Sequence, residues 1–384
     1  MAQRPAGRLM TTVGFVVGGL ALGLLTAPAA TSVVLVPQDP LTPGGPKRTC
    51  AWPIVYPGDA NYSWPDTNAA YIVQAALIGA NEKVTITGHD PKARYWSITT
   101  YDFKDRQVID RVNDVTVKRA KNGSWTVTVS PKDKPKDPNS LKSAPAYTYG
   151  DPLDPAKVTV IMYRVYLPRS GGYSGGPLPT VTLHHDDGIR KRAERLTPCT
   201  SAQIGPPDRP LGLDAAVGVP DYFIRAEGGR FYPSYDTAYL AADVPYDPER
   251  ILVVTGKAPS VPKDVRYWSL CQNVNEYPLP VVDCASDAEI QGGKLTDGRY
   301  TIAVVGPGQI PDRSAYPGVT FVDWTASSSS ESMKNAFLIW RNILPSKSFA
   351  YSVEKVPLGQ PATSTMGEFA PVIEHLTLEE LAAR

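Results

Sequence analysis

Polar and apolar residues alternate along much of the chain. In "SWTVTVS" (Ser124–Ser130), Trp125, Val127 and Val129 fall on one face and Ser124, Thr126 and Thr128 on the other. That period of two marks a half-buried strand. "KVTITG" (Lys83–Gly88) alternates in the same way, with Val84 and Ile86 on the apolar side. Asn122-Gly123 and Asp297-Gly298 are strong signals for tight hairpin turns. Short strands, such turns and no long helical period predict β-structure throughout.

The pattern then recurs. "ARYWSITTYD" (Ala93–Asp102) and "VRYWSLCQNV" (Val265–Val274) carry the same Arg-Tyr-Trp-Ser, 172 positions apart. Upstream, Trp64–Gly88 parallels Ser234–Gly256, each with Asp-Thr, a Tyr, an Ala-rich turn and a strand ending in Thr-Gly. Downstream, "NGSWTVTVSP" parallels "DGRYTIAVVGP", and "VTVIMYRVYLP" parallels "NAFLIWRNILP". Matched blocks in the same order identify a tandem duplication. The fold expected is all-β, with two duplicated β-sandwich or jelly-roll-like lobes, about eight strands each and few short helices. The lobes are expected over residues 50–183 and 213–356. A Pro-rich charged connector (184–212) joins them, with Ile189, Ala193 and Leu196 on one short helical face. A tail (357–384) ends in a short helix, capped by Thr377 with Glu380 three residues on.

Composition adds compartment and excludes some chemistry. Pro is 38 of 384 residues, above the usual ~5%, in keeping with many turns. Lys plus Arg is 39 against 38 Asp plus Glu, so there is no basic excess for nucleic acid. At the N-terminus, Arg4 and Arg8 precede an apolar run, Val13–Leu25, and an Ala27-Pro28-Ala29 cleavage-like site. Residues 1–36 therefore read either as a cleaved signal peptide or as a retained transmembrane anchor, followed by a linker (37–49). Both place the rest of the chain outside the cytoplasm, in the cell envelope or secreted. Four cysteines, Cys50, Cys199, Cys271 and Cys284, fit two disulfides there. Of the three connectivities, spacing favours Cys271 with Cys284, stapling a loop, and Cys50 with Cys199, tying the ends of the first lobe.

The motifs Pro65-Asp66-Thr67…Tyr71 with Arg94-Tyr95-Trp96-Ser97…Tyr101-Asp102 have second copies. These are Tyr235-Asp236-Thr237…Tyr239 and Arg266–Ser269, the latter without the following Tyr-Asp. The combination resembles a bacterial family of domains of unknown function, whose members carry two tandem lobes similar to jelly rolls. The resemblance covers roughly residues 50–355 and implies the fold and no activity.

Chemistry is sparse. Arg94, Trp96, Tyr101, Asp102, Arg266, Trp268, Asp66 and Asp236 are the candidate ligand-binding residues. Aromatic faces stack on sugar rings or apolar tails, and Arg holds a carboxylate or phosphate. The plainer reading pairs each Arg with the Asp of its own lobe, as a fork that fixes where two segments meet. Arg164 and Arg341, in mid-strand, need partners for the same reason. "HHDDG" (His184–Gly188) has metal-ligand residue types, but neighbouring His in an extended segment point opposite ways, so no metal site is expected. No Gly-x-Ser-x-Gly elbow and no phosphate-cradling Gly loop occur, so no cofactor is expected. The function expected is a non-catalytic binding or structural module of the envelope, for a glycan, lipid or protein, with the membrane as a further partner if the N-terminal segment is retained. The alternative is a hydrolase of glycan or ester substrates at the inter-lobe cleft. Burial of the four arginines against Asp would favour the first. Their opening into a pocket with His or carboxylate would favour the second. If only one lobe binds, Tyr101 and Asp102 mark the place to look.

Overall fold

A computed structural model describes residues 50–384, apart from 57–60, 62, 133–135, 149, 171, 187–190, 200–217, 227–231, 277–278, 291–294, 311 and 325–334. The expected leader or anchor (1–36), the expected linker (37–49) and Ile189 lie outside the described residues. Among the described residues, no helix is long and apolar enough to cross a membrane.

The first lobe comprises β1 (Cys50–Ala51), β2 (Ile54–Tyr56), β3 (Ala69–Leu77), β4 (Lys83–His89), β5 (Tyr95–Asp102) and β6 (Val108–Asn113). It continues with β7 (Ser124–Ser130), β8 (Ser140–Lys142), β9 (Val158–Tyr166), β10 (Thr180–Asp186), β11 (Lys191–Arg195) and β12 (Thr197–Pro198). An inner sheet runs β2-β3-β9-β5-β6 and an outer sheet β11-β10-β4-β7-β8. Between them lies a core of Ile72, Trp96, Ile98, Ile161 and Tyr163 from the inner sheet and Val84, Ile86, Trp125, Val127 and Val181 from the outer. Trp96 stacks on Trp125 across it, ring centroids 4.7 Å apart.

The second lobe comprises β13 (Ile224–Ala226), β14 (Thr237–Pro245), β15 (Ile251–Lys257), β16 (Tyr267–Asn273) and β17 (Val281–Ser286). It ends with β18 (Arg299–Val305), β19 (Thr320–Asp323), β20 (Asn335–Ile343) and β21 (Val372–Leu376). Its inner sheet, β13-β14-β20-β16-β17, repeats that of the first lobe strand for strand. Its outer sheet, β19-β18-β15-β21, repeats four of the five outer strands. Trp268, Trp340 and Tyr300 fill the corresponding core. The molecule is thus an all-β pair of duplicated sandwiches.

Two boundaries and one local element differ from the expectation. His184–Asp186 finish β10, and residues 191–195 pair with it as β11, so this part of the expected connector completes the first lobe. Ala193 lies in that strand and Leu196 in the core, so no helical face forms there. The alternation in "KRAER" is hidden because the edge strand is charged on both faces. In the tail, β21 pairs with β15 and supplies the counterpart of β10. The terminal helix, Leu378–Ala382, starts at Thr377 with the expected capping box.

The repeated Thr-Gly falls near the end of β4 as Thr87-Gly88 and near the end of β15 as Thr255-Gly256. Gly88 faces Trp125 and Gly256 faces Tyr300 in register. A Cβ at either position would meet the ring within 2.9 Å. The repeated glycine makes room for a large aromatic on the next strand.

Both cysteine pairs form as expected, Cys50–Cys199 and Cys271–Cys284. The first clasps β1 to β12. The second joins register partners on β16 and β17.

Candidate functional site at the seam between the lobes

Strand alternation gives each inner sheet a second face. On β5, Trp96 and Ile98 turn into the lobe's own core, so Tyr95, Ser97, Thr99 and Tyr101 turn outward. On β16, Tyr267, Ser269 and Cys271 do the same. These outward faces meet. Ala69, Tyr95 and Tyr166 of the first lobe cluster with Tyr267 and Ile343 of the second. The seam is therefore aromatic, but it also buries charge.

Asp66 of the first lobe accepts hydrogen bonds from Tyr267 Oη (2.8 Å) and Ser269 Oγ (2.7 Å) of the second. Arg341 Nη1 lies 3.9 Å from the same carboxylate. Reciprocally, Asp236 of the second lobe accepts from Tyr95 Oη (2.8 Å) and Arg111 Nε (2.8 Å) of the first. Arg94 donates to Asp287 at 2.6 Å, and Arg266 to Asp114. Arg341 Nη2 donates to the Trp64 carbonyl at 2.6 Å and Arg164 Nη2 to the Tyr232 carbonyl at 2.7 Å. Trp64 and Tyr232 both hold left-handed backbone, φ 50° and 49°. Each of these bonds crosses the seam.

This corrects the expected pairing of Asp66 and Asp236 with arginines of their own lobes. The loop before β3 and the loop before β14 each reach over the neighbouring inner sheet. The acid thereby meets the outward face of the other lobe.

The electrostatics follow from burial. Desolvation raises the carboxyl pKa of Asp287 and of Asp114, outweighing the pull of Arg94 and Arg266 respectively. Burial also holds the Tyr95 and Tyr267 phenols well above their ordinary range, and Tyr101 is pushed up to about 12. These phenols are hydrogen-bond donors at neutral pH.

The other candidate residues divide. Trp96 and Trp268 lie inside their own sandwiches, on the far side of the inner sheets from the seam. Arg94 and Arg266 precede their strands and are half-buried at the seam. Tyr101 is buried and donates to the Pro233 carbonyl at 2.8 Å, again across the seam. Asp102 accepts from the Asp105 amide at 2.8 Å and closes a turn. Tyr95, Ser97, Tyr267, Ser269, Asp114 and Asp287 belong to the seam without having been candidates from sequence. The signal for the first four was present, since residues alternating with core positions must face something else.

The histidines with described partners lie elsewhere. His184 contacts Thr85 Oγ1 (2.8 Å) and His185 contacts Glu82 Oε1 (3.0 Å), both in the outer sheet. They point apart, as the extended geometry requires. Asp66, Cys271 and Cys284 bring three ligand-type atoms together, but both sulfurs are committed to the disulfide.

A protein-family profile, described as a protein of unknown function (DUF1214), matches residues 74–150. That stretch includes the first Arg-Tyr-Trp-Ser. No curated protein matches the chain. Among solved structures, an uncharacterized protein from Burkholderia cenocepacia is similar with a TM-score of 0.51 at 13% identity, covering 84% of this chain and 79% of that one. A protein from Vibrio parahaemolyticus is similar with a TM-score of 0.45 at 11% identity, over 82% and 90%. The Burkholderia likeness establishes the fold, and the resemblance to a β-sandwich family of unknown function holds at that level.

Proposed function

We propose that the chain is an exported cell-envelope protein, a non-catalytic binding or structural module rather than a hydrolase. The observation that carries this reading is the engagement of the four arginines. Arg94, Arg266 and Arg341 face carboxylates, and Arg164 faces a carbonyl and a hydroxyl, all within the chain. None of the described histidine contacts reaches them. Groups so held fix two lobes against each other and leave little to act on a substrate. The two disulfides support an oxidising, extracytoplasmic compartment. The apolar N-terminal run supports export, with the membrane as a partner where that run is retained.

Of the partner classes, an envelope glycan has the most support. Tyr222, Tyr235 and Tyr351 expose their rings on the second lobe, and such rings are apolar bodies with a polar tip. The test is co-sedimentation of the purified protein with insoluble envelope glycan, run beside turnover assays on chromogenic esters and glycosides. Binding without turnover is expected. Turnover that scales with protein and disappears on unfolding would overturn the reading in favour of the hydrolase.

A further inference from the structure

The two halves of the seam match in order and in partners until one position. In the second lobe, Ser269 and Arg341 are register partners on neighbouring strands, and the Asp66 carboxylate lies at both of them. In the first lobe, Ser97 and Arg164 are the equivalent register partners. Tyr95 reaches Asp236 as Tyr267 reaches Asp66. There the correspondence stops. Ser97 is fully buried, and its Oγ, which lies beside the Tyr95 hydroxyl, makes no hydrogen bond of normal geometry. Arg164 is 3% exposed and forms two hydrogen bonds, to Thr99 Oγ1 (3.3 Å) and to the Tyr232 carbonyl. Among the described residues it has no carboxylate in ion-pair contact.

The cause lies one strand away. Thr99 pairs in register with Arg111 on β6. The equivalent pair in the second lobe is Cys271 with Cys284. Arg111 Nε holds the second oxygen of Asp236, so that carboxylate serves an arginine that no residue of the second lobe replaces. Arg164 is left as a buried cation over the rings of Tyr71 and Tyr101, at 5.7 and 5.4 Å from their centroids. Ring faces attract a cation but do not neutralise it, and a buried charge without a counter-charge is costly.

We propose that Ser97 and Arg164 bind one small carboxylate anion, which plays the part that the Asp66 carboxylate plays for Ser269 and Arg341. Arg164 supplies the charge and N–H donors, and Ser97 supplies an O–H donor. The ligand is of formate size, because Asp66 brings little more than its carboxylate to the equivalent place. This site is independent of the envelope reading, and its failure leaves that reading intact.

The test is calorimetric titration of the full chain with sodium formate, with ionic strength held by sodium sulfate, beside thermal melts over the same range. Saturable binding of one formate per chain and a rising Tm are expected. Ser97→Asp places a carboxylate on the chain itself. It is expected to abolish the formate response and to match or exceed the wild-type Tm without formate. No saturable formate effect on the wild type would overturn the site, as would an equal effect on wild type and Ser97→Asp. If Ser97→Asp does not fold, Ser97→Ala decides. Binding weakened by about tenfold supports the site, and unchanged affinity overturns it.

Discussion

Asp66 holds three groups of the opposite lobe with one carboxylate: Tyr267, Ser269 and Arg341. Removing it strands a buried guanidinium and two buried hydroxyls together. Asp66→Ala is therefore expected to cost about 3–5 kcal/mol, read as a lower urea midpoint, with Asp66→Asn costing less. Asp287 and Asp114 make stability depend on pH. Their folded pKa values are raised above the ordinary 3.8 by desolvation. The folded chain then binds their protons more tightly than the unfolded chain does. Their contribution is fully present below the unfolded value and is lost as pH rises through the raised folded value. Asp287→Asn is expected to flatten the loss of stability as pH rises above the ordinary carboxyl value of 3.8, measured by urea titration at several pH values. At Gly256, alanine would press its methyl into the Tyr300 ring. A loss of about 1–3 kcal/mol is expected from Gly256→Ala, checked by thermal melting.

At the scale of strands, most of the fold was legible. "SWTVTVS" predicted its own burial, and the buried positions are Trp125, Val127 and Val129. The Thr-Gly repeat was visible as a match, but its reason, an aromatic across the ladder, needed the register. β21 was missed because "VIEHL" is short and partly polar, and only its neighbour β15 makes it a strand. The disulfides were placed correctly because one pair brackets the lobe and the other a single hairpin. The Cys50–Cys199 bridge closes a separation of 149 residues, so its loss is expected to cost about 4–5 kcal/mol in the chain-entropy model. A Cys50→Ala/Cys199→Ala double variant tests this by its lower Tm. Native mass without reduction is expected to show both bridges and no free thiol.

At the scale of the whole molecule, the seam was not legible, and duplication is the reason. Each repeat carries the same Asp before its second inner strand, β3 or β14, and the same Arg-Tyr-Trp-Ser at another. An Asp thus has equivalent partners in its own copy and in the other, and strand periodicity is blind to the choice. Docking of the lobes makes that choice, and it falls on the opposite copy throughout. Cleavage at a protease site engineered at residues 205–210 is therefore expected to leave both lobes co-eluting in size-exclusion chromatography under native conditions. Their separation would show that the chain link, and not the seam, keeps them together.

Reciprocal bonding across the seam also bears on ancestry. Two copies that had each kept their acid for their own arginine could diverge separately. Here a change at Asp66 is felt by Tyr267, Ser269 and Arg341, and a change at Asp236 by Tyr95 and Arg111. The halves must have drifted as a couple, and recombination between distant relatives at the connector would mate strangers. Descent should show in correlated substitutions linking each repeat to its sibling more strongly than to itself.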